Sequence, residues 1–260
     1  MIKILFFFKL AGMGYVFTFN DAVSYDKWYA GPGNRAVAAL ENRLMHEMLQ
    51  PIRGKTVLDI GCGTGMGTMS LLDAGLQVTG IDPSPYMIDI AQSHIGKRVD
   101  FHRGFAEDLP FDDNEFNYSC LVTTLEFVEN PQKALEEAFR VTRDKIFIGV
   151  LNRYAIKGIQ RRVKGIFATT IYNRARFFSI WEIKQMIRSI IGDVPVSWQS
   201  ICHFPNPMNP FICRMVQSKI VQKSPFGTFI GIAVIPVPRF RSRPLALKYH
   251  AKAKQETVVG

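Results

Sequence analysis

Cysteine is scarce in this 260-residue chain. Cys62, Cys120, Cys202 and Cys213 form no CxxC pair, and no histidine follows them at zinc-finger spacing, so neither a disulfide scaffold nor a structural zinc is expected. A reducing, cytoplasmic compartment is the expectation. His46, His94, His102 and His250 show no ligand spacing with one another or with cysteine, so no metal of any kind is expected. Glycine (20) and proline (14) are too few for a collagen-like or low-complexity chain, and a hydrophobic content of 47% excludes disorder. Long apolar runs are also missing. The opening MIKILFFFKLAGMGYVF is interrupted by Lys9, has no small-residue cleavage site after it, and is short for a bilayer span. Met13 offers a second translation start, and residues 1–23 are assigned to an N-terminal extension. Acidic residues, finally, are rare in the second half. Residues 1–139 carry a net charge of −7 and residues 140–260 one of +17, which suggests an anionic partner for the second half: a membrane surface, a nucleic acid or an acidic substrate.

What is present is one generous domain with a cap. From Thr56 to Val150, short apolar runs alternate with helical stretches, the pattern of a parallel sheet covered on both faces. Strands are expected at 56–60, 77–81, 98–101, 117–122 and 145–150, with helices near 64–74, 85–94 and 131–142. Asn130 is the expected cap of the last helix and Pro131 stands in its first turn. Before the sheet, Val37, Leu40, Leu44, Met48 and Leu49 repeat at helical spacing. After it, Ser179 and Glu182 form a capping-box signature. A sixth strand is expected at 194–200, a helix at 211–222 and a seventh strand at 228–235. The fold class is therefore α/β, a doubly wound, seven-stranded, mostly parallel sheet.

The run from Val57 to Gly65, VLDIGCGTG, places glycines in the turn after the first strand, where a ligand approaches the backbone closely. A dinucleotide fingerprint needs Gly or Ala at the sixth position from Gly61, and Met66 stands there. Asp59, two residues before the turn, would repel a pyrophosphate but favour a cationic group. Asp82, at the end of the second strand, suits both hydroxyls of a ribose. A nucleoside with a positive centre fits this pair of acids, and S-adenosylmethionine is the common cofactor of that description.

VLDIGCGTG (57–65), VTGIDPSPYMIDIA (78–91), AEDLPF (106–111) and EAFRV (137–141) resemble the class I S-adenosylmethionine-dependent methyltransferases, over residues 24–151 well and elsewhere loosely. The resemblance implies a Rossmann-like fold with a helical cap and S-adenosyl-L-methionine as cofactor. It puts Asp59, Gly61, Gly63 and Gly65 around the methionine part, Asp82 at the ribose, and Pro83, Met87, Ala106 and Glu107 at the adenine. Phe105 departs from the Asp or Asn common before that Ala-Glu, which leaves adenine recognition to the backbone or to Glu107. Ser24 to Tyr29, SYDKWY, resembles the opening segment of small-molecule methyltransferases, which assigns Tyr25 to the cofactor pocket; packing against the following helix is the other reading.

In an open parallel sheet the reacting groups gather beyond the carboxyl ends of the strands. That selects Thr123 and Glu126 after strand four, Asn152, Arg153 and Tyr154 after strand five, and His203 after strand six. Thr123 is also placed among the cofactor contacts. His203 or Glu126 could take a proton from a hydroxyl acceptor; alternatively His203 stabilises its loop and Glu126 caps a helix or faces solvent. The segment VTTLEFVENP lacks the Asn/Asp-Pro-Pro-aromatic signature of many amino-group methyltransferases of DNA and protein, so nucleic acid is disfavoured as a substrate. Residues 152–178 are read as a basic cap, 179–236 as the rest of the fold and 237–260 as a basic tail. Over 156–171, Ile156, Ile159, Val163, Ile166, Phe167 and Ile171 share one helical face, with Lys157, Arg161, Arg162 and Lys164 off it. That face serves either a cap over the acceptor or a helix lying on an anionic membrane. The expected activity is methyl transfer to a small or lipid-like acceptor; an RNA methyltransferase and a non-catalytic cofactor-binding partner remain the alternatives.

Overall fold

The computed structural model describes residues 14–155, 174–201 and 223–236. His203, the helical face at 156–171, the helix expected at 211–222 and the tail from 237 lie outside the described residues. Seven strands form one sheet in the order β3-β2-β1-β4-β5-β7-β6: β1 (Thr56–Ile60), β2 (Gln77–Asp82), β3 (Asp100–Arg103), β4 (Phe116–Val122), β5 (Thr142–Leu151), β6 (Val196–Ile201) and β7 (Phe229–Val234). The first five are parallel, and β7 runs antiparallel between β5 and β6. The helices are α1 (Phe19–Ala30), α2 (Pro32–Leu49), α3 (Met66–Asp73), α4 (Pro85–Ile95), α5 (Pro131–Val141) and α6 (Ile180–Ile191).

Both faces of the sheet are covered, which is why its strands are apolar nearly throughout. Alternate residues of β5 divide the core. Ile146, Ile148 and Val150 join Leu135 and Ala138 of α5 and Ile183 and Ile187 of α6. Phe147 and Leu151 join Leu44, Met45 and Leu49 of α2 on the other face. The anticipated caps form. Asn130 accepts the Lys133 N–H at 3.1 Å, and the Ser179–Glu182 box closes in both directions. Arg140, within EAFRV, donates to the Leu109 and Phe111 carbonyls at 2.9 and 2.7 Å and pairs with Glu137 and Asp113, fastening the β3–β4 connection to α5.

Three of the boundaries that differ from the sequence expectations have a local reason. The third strand begins at Asp100 rather than residue 98, because Gly96–Arg98 form a 3-10 turn in which Arg98 Nε bonds the Ile95 carbonyl. The fifth strand begins at Thr142, whose hydroxyl bonds the Ala138 carbonyl at 2.7 Å as the helix ends. Residues 14–23 are not an extension. Thr18 and Asp21 close a capping box that starts α1, and Tyr15 N–H donates to the Phe127 carbonyl at 2.7 Å. A short Thr-x-x-Asp box before a weakly amphipathic, aromatic helix gives little periodic signal, which is why α1 escapes a sequence reading.

Candidate active site

Because β1, β2 and β4 run parallel, the turns that follow them open on one edge of the sheet. The turn after β1 is drawn against β2 by the N–H groups of Gly61 and Cys62, which donate to the Ile81 carbonyl. Gly61 and Gly63 have φ of +73° and +54°, a region that side chains rarely adopt, and a Cβ on Gly61 would overlap Thr124. Both glycines line clefts. Gly65 does not. As the N-cap of α3 it faces α4, where a Cβ would lie 2.9 Å from Ile95 Cδ1, so its small size is needed for helix packing.

Two clefts meet at Gly61 and Gly63, with Tyr25 bordering both. One is largely apolar, walled by Phe17, Pro83, Met87, Phe105, Ala106 and Phe127, and also reaches Asp82, Glu107 and Thr123. The other is polar and reaches Asp59, Thr64, Tyr29, Glu41 and Asn42. Asp82 is held by its own turn, accepting the Gly63 N–H at 3.0 Å and the Ser84 N–H at 2.9 Å. Asp59 accepts the Thr68 hydroxyl at 2.6 Å. Burial pushes both carboxyls up to about 6; the hydrogen bonds oppose this, and the charge of Asp82 adds to it at Asp59. Among the described residues no cationic side chain offsets either acid. The site therefore holds two buried carboxylates that a cationic ligand would relieve.

The apolar cleft is roofed by a strap that sequence reasoning placed outside the fold. Tyr15, Val16 and Phe17 line it; the Ser84 hydroxyl donates to the Phe17 carbonyl at 2.7 Å on one side, and the Tyr15 backbone is bonded to Phe127 on the other. Tyr25 borders both clefts and packs edge-on against Phe17 and Tyr29, a residue of its own helix, rather than against the helix that follows. Glu107 spends one carboxylate oxygen on the N–H groups of Glu129 and Asn130, before α5. Thr123, a β-branched residue at φ +54°, is strained where it enters the cleft.

The acceptor candidates are dispersed. Glu126 lines neither cleft, caps no helix and does not face solvent. It is 2% exposed, one oxygen accepts the Leu151 N–H at 2.6 Å, the other has no hydrogen-bond partner, and burial pushes the carboxyl up to about 8. Asn152 is buried and bonded to the Pro225 and Gly227 carbonyls, a tie between β5 and the approach to β7. Arg153 pairs with Glu182 at 2.9 Å, and Tyr154 is exposed.

Residues 58–147 match the family model described as a methyltransferase domain. An uncharacterized protein of Methanocaldococcus jannaschii is 34% identical over 174 residues, covering 65% of this chain and 77% of the relative. The chain belongs to the class I S-adenosylmethionine-dependent methyltransferases. This methyltransferase is also 34% identical over 108 residues to a ubiquinone biosynthesis O-methyltransferase of Aromatoleum aromaticum, a match that covers 39% of this chain and less than half, 46%, of that protein. Among solved structures, a methyltransferase from Thermotoga maritima superposes with a TM-score of 0.65 at 22% identity, over 84% of this chain and 97% of that one.

The residues of this methyltransferase suit the cofactor that gives the family its name. Besides the two acids, Thr64 Oγ1 is buried in the wall of the polar cleft without a hydrogen-bond partner. A buried hydroxyl left unpaired in the free protein is costly, and an amino-acid ligand end would satisfy it. Thr64→Val is isosteric, so it is expected to leave the free protein as stable or more so. S-adenosylhomocysteine affinity, measured by calorimetry, should fall by about 2- to 13-fold, the equivalent of one net hydrogen bond. Equal affinity in the variant would remove Thr64 from the ligand's surroundings.

Proposed function

We propose that this methyltransferase carries a methyl group from S-adenosylmethionine to a small, lipid-like acceptor, with peripheral contact at an anionic membrane. The observation that carries the donor half is the junction of an apolar and an acidic cleft at Gly61 and Gly63, with Asp82 on one side and Asp59 on the other. The bound cofactor supplies a methyl group made electrophilic by its positive sulfur. Asp82 orients the ribose, Asp59 and Thr64 receive the amino-acid end, and Pro83, Met87 and Ala106 border the adenine. The 14–18 strap and Tyr25 exclude water from the clefts. Because the sulfonium already activates the methyl group, alignment and water exclusion carry the rate. Support for a lipid-like acceptor comes from the relative named for ubiquinone biosynthesis and from the basic second half of the chain.

Incubation of the protein with S-adenosylmethionine labelled in the methyl group and a total lipid extract should move label into the organic phase. Label that goes only to water-soluble metabolites, or to RNA, would overturn the acceptor class while leaving the donor half intact.

A further inference from the structure

We infer that the sheet edge carrying the cofactor clefts docks on anionic phospholipid membranes through exposed Tyr154, Trp181 and Phe226, set among Arg153, Arg176 and Lys223. This rests on the lipid-like acceptor reading and gives it a surface. Tyr154 follows the end of β5, Trp181 lies in the first turn of α6, and Phe226 stands just before β7. These positions share the edge at which the β1, β2 and β4 turns open, because β7 is antiparallel and Phe229, its first residue, pairs with Leu151, the last of β5. The three rings are 47%, 57% and 62% exposed. Large apolar side chains clustered at one edge beside a binding cleft mark an interaction surface rather than scattered exposure.

Their mounts are fixed. Asn152 donates to the Pro225 and Gly227 carbonyls at 2.7 and 2.6 Å, on either side of Phe226, while its own side-chain oxygen accepts the Tyr154 N–H at 3.1 Å. Arg153 donates from its backbone to the Phe178 carbonyl and from Nε to the Phe177 carbonyl, tying β5 to the start of α6. Tyr154 and Trp181 meet edge to face at 6.0 Å and 71°.

Charge identifies the occupant. Among the described residues of 151–236, six lysines and arginines stand against only two acids, Glu182 and Asp193. Glu182 is met by Arg153 and its own capping box, and Asp193 lies beyond the far end of α6, beside Arg188. Tyrosine and tryptophan favour the boundary between headgroups and acyl chains, and each basic residue near an anionic leaflet strengthens binding about fivefold. A nucleic acid also seeks basic and aromatic residues, but it stacks its bases on open ring faces, and the edge-to-face Tyr154–Trp181 pair offers no parallel platform.

The test is sedimentation of the full chain with vesicles of phosphatidylcholine alone or mixed with phosphatidylglycerol, at low and high salt, with single-stranded RNA as competitor. The protein should partition onto the anionic vesicles, lose most of that binding at high salt, and show a blue-shifted tryptophan emission when bound. Trp181→Ser together with Phe226→Ser should weaken partitioning by at least about tenfold. Arg176→Gln with Lys223→Gln, which leaves the rings in place, should weaken it about 25-fold and reduce its salt dependence. S-adenosylhomocysteine affinity should be unchanged in all variants. Failure of the wild type to bind anionic vesicles, unaltered binding by both variants, or displacement by RNA would each overturn the docking surface. Retained homocysteine-product binding would show that the methyltransferase reading survives that loss; absent binding in the wild type would sink that reading instead.

Discussion

Asp82→Ala is expected to weaken S-adenosylhomocysteine binding by roughly 10- to 150-fold, the worth of one charge-assisted hydrogen bond of about 1.5–3 kcal/mol. The same carboxylate accepts the Gly63 and Ser84 N–H groups, so part of the loss reflects a loosened turn as well as a missing ribose contact. The pH dependence separates the two. In the free protein Asp82 and Asp59 are raised to about 6; ribose hydroxyl donors at Asp82 and the ligand's ammonium near Asp59 would favour their charged forms, which lowers those values in the complex. Protons therefore compete with the ligand, and affinity falls as pH drops through about 6. Each acid contributes about a tenfold loss between about pH 7 and pH 5. Asp82→Asn cannot titrate there and should show a shallower dependence. Calorimetry across this range that gives a flat profile for the wild type, or tighter binding in acid, would show that neither carboxylate receives the ligand's hydroxyl or ammonium donors.

Glu126→Gln is expected to stabilise the protein progressively as pH rises. Glu126 is raised to about 8 by burial, with the Leu151 N–H opposing and the charge of Glu41 adding to it. In the unfolded chain the carboxyl ionises near its usual 4.5. A raised folded value means that the stability this group contributes is fully present below about 4.5 and is lost as pH climbs to about 8. Glutamine keeps the shape and an oxygen for Leu151 but does not titrate. Relative to wild type it should therefore gain about 1.4 kcal/mol per pH unit across that window. Denaturant titrations of both proteins at several pH values measure this directly, and parallel stability profiles would show that Glu126 is ionised in the folded state. Glu126 faces neither cleft, and its bond from the Leu151 N–H ties the turn after β4 to the end of β5, which its position after a strand end does not reveal.

The cofactor half of the site was legible because its chemistry is local. Asp59, Gly61 and Gly63 lie within five residues of one another, and Asp82 follows one strand later, so spacing alone brings them together. Pro83, Met87, Ala106, Glu107 and Thr123 follow the ends of neighbouring strands and do line the apolar cleft. Gly65 lines neither cleft, and its packing against α4 is not visible in the spacing, because a glycine needed for helix packing is written like one needed for a ligand. The strap was illegible for a different reason. Tyr15 and Phe17 act through contacts with Phe127 and Ser84, far away in the chain, and their own segment has no periodicity. Glu41 and Asn42 likewise belong to α2, whose expected apolar face is buried at Leu44, Met48 and Leu49 but exposed at Leu40, and nothing in that spacing marks the polar residues turned to the cleft.

The antiparallel seventh strand also governs the order in which the molecule can be completed. During synthesis β5 emerges long before β7, and until residues 229–234 arrive it is hydrogen-bonded on its β4 side alone, with the edge at Ile146 to Leu151 open. Among the described residues β6 has no strand neighbour other than β7, so it and the α6 it follows wait for the same event. A nascent chain at this stage presents an apolar strand edge to the cell, the template on which chains aggregate. Closing the sheet from its C-terminal strand is a long-range step, slow to form because the intervening loop must be ordered first. The turns after β1, β2 and β4 lie on the other side of β5 from β7, whereas α2, which brings Glu41 and Asn42 to the polar cleft, packs on β7. A ribosome-bound chain thus has the elements of its donor site before its sheet is sealed.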